Sequence, residues 1–133
     1  MEQREPTEQF EHDLVIQAAA NQFAASVKYN IYTNAGTERK VAVSGKYPDI
    51  VVTEKGSGKV RYVIEVETAN SVDVTESTQW REFAKLGPPL HLLVPQRVLP
   101  VAEELCSRAS IKCHCGYYHQ DERGRFKITL KKD

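Results

Sequence analysis

The chain has 133 residues, enough for one compact domain with one core and too few for a second lobe. Lys plus Arg number 18 and Asp plus Glu number 18, so the formal net charge is zero. That balance excludes nucleic-acid binding by bulk charge; any basic surface must be local.

No apolar run is long enough to cross a bilayer, so no membrane partner is expected. The opening Met1 to Pro6 stretch lacks the apolar core of a signal peptide, which makes a cytoplasmic protein the expectation. The 3 cysteines, Cys106, Cys113 and Cys115, are too few and odd in number for a disulfide framework.

Residues 1–6 are polar and end in proline, which predicts a flexible lead-in before a single domain over 7–133. Thr7 is placed as an N-cap, with Glu8 and Glu11 in the first turns. Phe10, Leu14, Val15 and Ala18 recur at helical spacing, predicting an amphipathic helix from Thr7 to Ser26. The period then falls to two. Tyr29 to Tyr32 and Val41 to Val43 read as strands around an Asn34-Ala35-Gly36 turn.

Pro48 to Thr53 and Val60 to Thr68 follow, joined by the Gly56-Ser57-Gly58 turn. Pro48 can only begin its strand, because it has no N–H to donate. Thr75 to Leu86 reads as a second helix, stopped by Gly87-Pro88-Pro89. Leu90 to Val94 is a short apolar run of the kind that forms a buried strand. Val98 to Arg108 is a third helix, and Ile111 to Tyr118 and Phe126 to Leu130 are the last strands. The order predicts an α/β fold with a mixed sheet and helices on both faces.

Strand side chains alternate, so Glu65 and Glu67 share one face, opposite Ile64 and Val66. Two carboxylates on an apolar strand need a cation or hydrogen-bond donors. The Gly56-Ser57-Gly58 hairpin would set Asp49, at the start of one strand, beside Glu65 and Glu67 at the end of the next. Glu11, on the helical stripe drawn through Phe10 and Leu14, could reach the same corner. A few carboxylates suit Mg²⁺ or Mn²⁺, and such an ion can activate water for phosphodiester cleavage.

These residues resemble the restriction-endonuclease-like, or PD-(D/E)XK, nucleases, which include Holliday-junction resolvases and RecB-type nuclease modules. Phe10-Glu11 is similar to the family's helix acid. Tyr47-Pro48-Asp49-Ile50-Val51-Val52 is similar to its Pro-Asp motif, and Val63-Ile64-Glu65-Val66-Glu67 to its (Asp/Glu)-x-Lys motif. Gln79-x-x-x-Phe83 is similar to the RecB-like Gln-x-x-x-Tyr motif. The resemblance spans residues 7 to 95.

The resemblance implies an αβββαβ core and a metal-dependent nuclease acting on DNA. Glu11, Asp49 and Glu65 would be metal ligands, and Asp49, Glu65, Glu67 and Gln79 catalytic. A homodimer, or a place in a larger restriction or repair assembly, would follow. One departure stands out: Glu67 occupies the family's lysine position. That is similar to enzymes whose second glutamate assists the metal or acts as base, and it also fits a relative that has lost catalysis. Lys46, Arg81 and Lys85 are other sources of positive charge.

Each assignment has a simpler counterpart. Glu65 and Glu67 are also what an edge strand uses against aggregation. Glu11 also favours a helix N-terminus, and Gln79 also suits a solvated helix face. Trp80 and Phe83 are expected in the core rather than stacked on bases. Cys113-His114-Cys115 with His119 is a poor zinc pattern, because His114 points away from the two cysteines; small buried strand cysteines are expected instead.

Overall fold

The computed structural model describes residues 6–23, 28–35, 39 and 41–130. The elements run α1 (Pro6–Phe23), β1 (Tyr29–Thr33), β2 (Ile50–Glu54), β3 (Val60–Val66), α2 (Val74–Ala84), β4 (Leu90–Pro95), α3 (Leu99–Arg108), β5 (His114–Gln120) and β6 (Phe126–Thr129). The fold is α/β. One sheet of six strands has the order β1-β2-β3-β4-β5-β6. β1, β2 and β3 form an antiparallel meander, β3, β4 and β5 are parallel, and β6 is antiparallel to β5.

The connections explain the layers. β3 to β4 and β4 to β5 are crossovers in the same direction, and a fixed crossover hand puts both helices on one face. There Trp80, Phe83, Ala102 and Cys106 pack on Val51, Val63, Leu92 and Val94. On the other face α1 brings Val15, Ile16 and Ala19 against Ile50, Val52, Ile64, Val66 and Leu93. β4 is buried along its whole length because it is central and covered on both sides. α1 also touches both edge strands, β1 and β6, so the sheet curls around it. No helix among the described residues is long and apolar enough to cross a membrane.

The structure corrects several sequence expectations. Thr7 lies inside α1, which begins at Pro6. Pro6 therefore starts a helix instead of ending the lead-in, a sound position for a residue whose N–H would be unpaired anyway. Residues 1–5, 24–27, 36–38, 40 and 131–133 lie outside the described residues, so the lead-in, the end of the first helix and part of the first turn do as well.

The buried side of α1 is His12, Val15, Ile16 and Ala19, while Phe10 and Leu14 are 59% and 44% exposed. The helix is apolar around most of its girth. Phe10 and Leu14 lie almost opposite the arc the sheet selects, about 170° away at about 100° per residue.

Val41 to Val43 is not a strand; Val43 makes only an isolated bridge with Lys46. The Asn34 side chain takes the place of a neighbouring strand. Its amide nitrogen donates to the carbonyls of Val41 (2.8 Å) and Pro48 (2.7 Å), and its oxygen accepts from Val41 N–H (2.9 Å). The second helix starts at Val74, one residue before Thr75, because Asp73 caps it by accepting from Glu76 N–H at 2.8 Å. The fifth strand starts at His114 instead of Ile111, since residues 109–111 are spent closing the end of α3.

Candidate active site

The β2–β3 hairpin builds the acidic corner. Gly56 and Gly58 take positive φ, 92° and 71°, which the tight turn requires. The register pairs Ile50 with Ile64, so Asp49, just ahead of β2, falls opposite Glu65. Asp49 and Glu65 hydrogen-bond to each other. Asp49 Oδ2 also accepts the Val66 N–H at 2.8 Å and faces His12 Nε2 at 3.1 Å. His12 Nδ1 lies 3.2 Å from Asp13 Oδ1. Both ring nitrogens thus face carboxylate oxygens, a geometry that suits an imidazolium donating from each.

Burial by itself would raise the Asp49 pKa. The hydrogen bonds from His12 and Glu65, the charge of His12 and the Val66 N–H outweigh it, and Asp49 is held below its ordinary value of 3.8. A depressed folded-state pKa stabilises the fold above the unfolded value, and that stability is lost as pH falls through the folded value. The stability difference between wild type and Asp49→Asn should therefore be constant near neutrality and shrink below pH 3.8. Urea midpoints of both proteins across an acid series check this; a difference that stays flat through the acid range contradicts it.

Glu67 shares the strand face of Glu65 but has other partners. The residue is 3% exposed. Oε1 accepts the Trp80 indole N–H at 3.1 Å, and Oε2 accepts the Ser71 hydroxyl. Glu11 is not drawn to Asp49 either. The Tyr118 hydroxyl lies 2.9 Å from both Glu11 Oε2 and the Glu67 carbonyl oxygen. Burial, with the charge and hydrogen bond of Glu11, pushes the Tyr118 phenol far up, so it remains a donor at neutral pH.

The acid of α1 that reaches the end of β3 is Glu8, which accepts from Thr68 Oγ1 (3.0 Å) and Asn70 Nδ2 (2.9 Å). Gln79 is half-buried on α2, next to Trp80. Arg81 is committed to the Ala109 carbonyl at 2.8 Å, and Lys46 and Lys85 are exposed.

The structure therefore brings Asp49 and Glu65 together, while the Glu67 carboxylate meets Trp80 and Ser71 and Glu11 meets Tyr118, whose hydroxyl also lies on the Glu67 carbonyl. Among the described residues, the one group of three His, Cys, Asp or Glu ligand atoms all within 4.8 Å of one another is Cys106, Cys113 and Cys115. At the carboxyl ends of β4 and β5, beside Glu11, lies a cleft of about 490 Å³. Glu11 and Tyr118 line it together with Arg97, His119 and Gln120.

Two participants were missed in the sequence, His12 and Glu8. Both lie on the true buried arc of α1, at i and i+4, and the stripe His12-Val15-Ile16-Ala19 was the available signal. Compared with known protein families, curated proteins and solved structures, the chain matches none.

Proposed function

We propose that the chain is a metal-dependent nuclease that hydrolyses DNA phosphodiester bonds, with Asp49 and Glu65 as the ligands of Mg²⁺ or Mn²⁺. The observation that carries this reading is the contact between these two carboxyls. Side by side in a largely dry corner, they need a proton or a cation between them. A hard divalent ion replacing that proton would be held by both. Its chemistry would be to polarise a phosphate oxygen and activate a water.

His12 supplies, from α1, the positive charge that the resembled family places two residues after the second acid. Beside Asp49, at 3.1 Å, it is positioned to orient that carboxylate. The mixed sheet, with its antiparallel meander leading into parallel strands, supports the restriction-endonuclease-like core. Arg97, which lines the cleft with Glu11, offers phosphate a local positive charge in a chain of zero net charge.

A second reading has its own support: a nuclease-fold module without catalysis that binds nucleic acid or protein. His12 already partners Asp49, and Trp80 with Ser71 already partners Glu67, so the corner is satisfied without an ion.

Cleavage separates the two. Supercoiled plasmid, single-stranded DNA and branched DNA are incubated with purified protein in Mg²⁺, Mn²⁺ or EDTA. The nuclease reading expects product only with metal, co-eluting with the protein and absent in Glu65→Ala. No product on any substrate, with no divalent-ion binding that depends on Asp49, would leave the non-catalytic module.

A further inference from the structure

The cysteines lie on a different part of the sheet from the acids' end. Cys106 is on the last turn of α3, Cys113 is in the connection that follows, and Cys115 is the second residue of β5. The connection is short and pinned. Ala109 N–H donates to the Leu105 carbonyl at 3.1 Å and Ile111 N–H to the Cys106 carbonyl at 2.9 Å, with Ser110 in the left-handed region at φ 55°. This sharp helix closure folds Cys113 back over the helix end. Cys113 Sγ then lies 3.1 Å from Cys106 Sγ, and all three sulfurs fall within 4.8 Å of one another. None is in a disulfide. Cys106 and Cys115 are buried on the α2–α3 face of the sheet, and Cys113 is half-exposed at its margin.

We infer that Cys106, Cys113 and Cys115 form a binding site for a single thiophilic d¹⁰ cation, Zn²⁺ or Cu⁺, with the three thiolates as its protein ligands. Metal–sulfur bonds of about 2.3 Å place the sulfurs about 3.8–4.0 Å apart in tetrahedral or trigonal geometry. The observed spread brackets that separation, so loading the site asks the closest pair to part by less than about 1 Å, within reach of side-chain rotation.

Soft thiolates select these ions over Mg²⁺ or Mn²⁺, so the site is chemically distinct from the carboxylate pair. Without an ion, the Cys106 and Cys113 thiols are both pushed up. The Cys113 bond favours the Cys106 thiolate, but the Cys115 bond and burial win, and Cys106 is pushed up to about 12. Contact with Cys106 and Cys115, with burial, pushes Cys113 higher still. A cation reverses that balance: each metal–sulfur bond forms as one thiol proton leaves to solvent.

No fourth His, Asp or Glu among the described residues joins the group within the same distance. The remaining coordination position of Zn²⁺ would go to water or a small ligand entering past half-exposed Cys113. Cu⁺ would be complete with three sulfurs. The earlier sequence expectation paired Cys113 and Cys115 with histidine and set zinc aside; the helix-borne Cys106 is what changes the donor set.

The test uses the full chain, stripped by chelator and kept reduced. Co²⁺ titration should produce thiolate-to-cobalt charge-transfer absorption that Zn²⁺ abolishes. Elemental analysis after desalting should find about one Zn²⁺ per chain. A parallel anaerobic Cu⁺ competition with a chromogenic chelator shows which ion the site holds more tightly.

Cys106→Ala and Cys113→Ser should each lose the charge-transfer band and the retained ion, with far-ultraviolet circular dichroism unchanged. Cys113→Ser keeps the test open if the buried variant misfolds. Asp49→Asn should keep both signals, so failure of the nuclease reading leaves this result standing. Retention of neither ion by reduced wild type, or equal retention by Cys113→Ser, overturns the inference. So does a Cys106–Cys113 disulfide in protein purified without reductant whose reduced form binds neither ion.

Discussion

Replacing Glu67 with lysine is expected to cost about 3–5 kcal/mol of folding stability. In the resembled nucleases lysine holds this position, so on sequence grounds the change would restore a family residue. The structure gives the opposite expectation. Glu67 is buried and accepts from two donors, the Trp80 indole N–H and the Ser71 hydroxyl. Lysine has no acceptor to offer them. It would bring a buried ammonium against an N–H that has lost its partner. A loss of that size is a large share of the roughly 5–15 kcal/mol that holds a domain folded.

Glu67→Gln is the matched control. It keeps an acceptor oxygen, and its cost should be about 1 kcal/mol. Equilibrium denaturation of the three proteins decides the matter. If Glu67→Lys is as stable as Glu67→Gln, Glu67 is not fixed by Trp80 and Ser71. The lysine variant would then become a fair probe of catalysis.

Trp80→Ala should cost a comparable amount, about 3–5 kcal/mol, for a different reason. Trp80 is fully buried and is the largest of the fully buried side chains. It fills the space between α2 and the sheet with Phe83, Val63 and Leu92 in the same cluster. Truncation leaves a cavity there as well as removing a donor to Glu67. Trp80→Phe separates the two contributions. Phenylalanine refills most of the space and lacks the N–H, so its cost should stay near the 1–3 kcal/mol of an unmade buried hydrogen bond. Denaturant midpoints at constant slope give both values. A Trp80→Phe loss as large as that of Trp80→Ala would show that the hydrogen bond outweighs the packing.

Local patterns in the chain determined most of the elements and the hairpin that carries Asp49 and Glu65. The apolar runs at residues 50–52 and 63–64, with Gly56 and Gly58 between them, read as a hairpin, and its register sets Asp49 opposite Glu65. Trp80 and Phe83 were legible as core from their helical spacing. The stop at Gly87-Pro88-Pro89 was legible because neither glycine nor proline continues a helix.

Tertiary structure decided which side of α1 is inward, because a helix with apolar residues on most of its girth does not fix its own rotation. The sheet's curl selected His12, Val15, Ile16 and Ala19, sent Phe10 and Leu14 outward, and so gave Asp49 a histidine partner and Glu11 a tyrosine. It also decided the fate of Glu67. Alternation puts Glu67 on the face of Glu65, but the indole of Trp80, thirteen residues on, lies on a helix whose docking is a long-range event. Cys106 met Cys113 and Cys115 for the same reason. One-dimensional spacing records which residues share a helix face or a strand face, and the packing of one element against another determines which side chains on those faces touch.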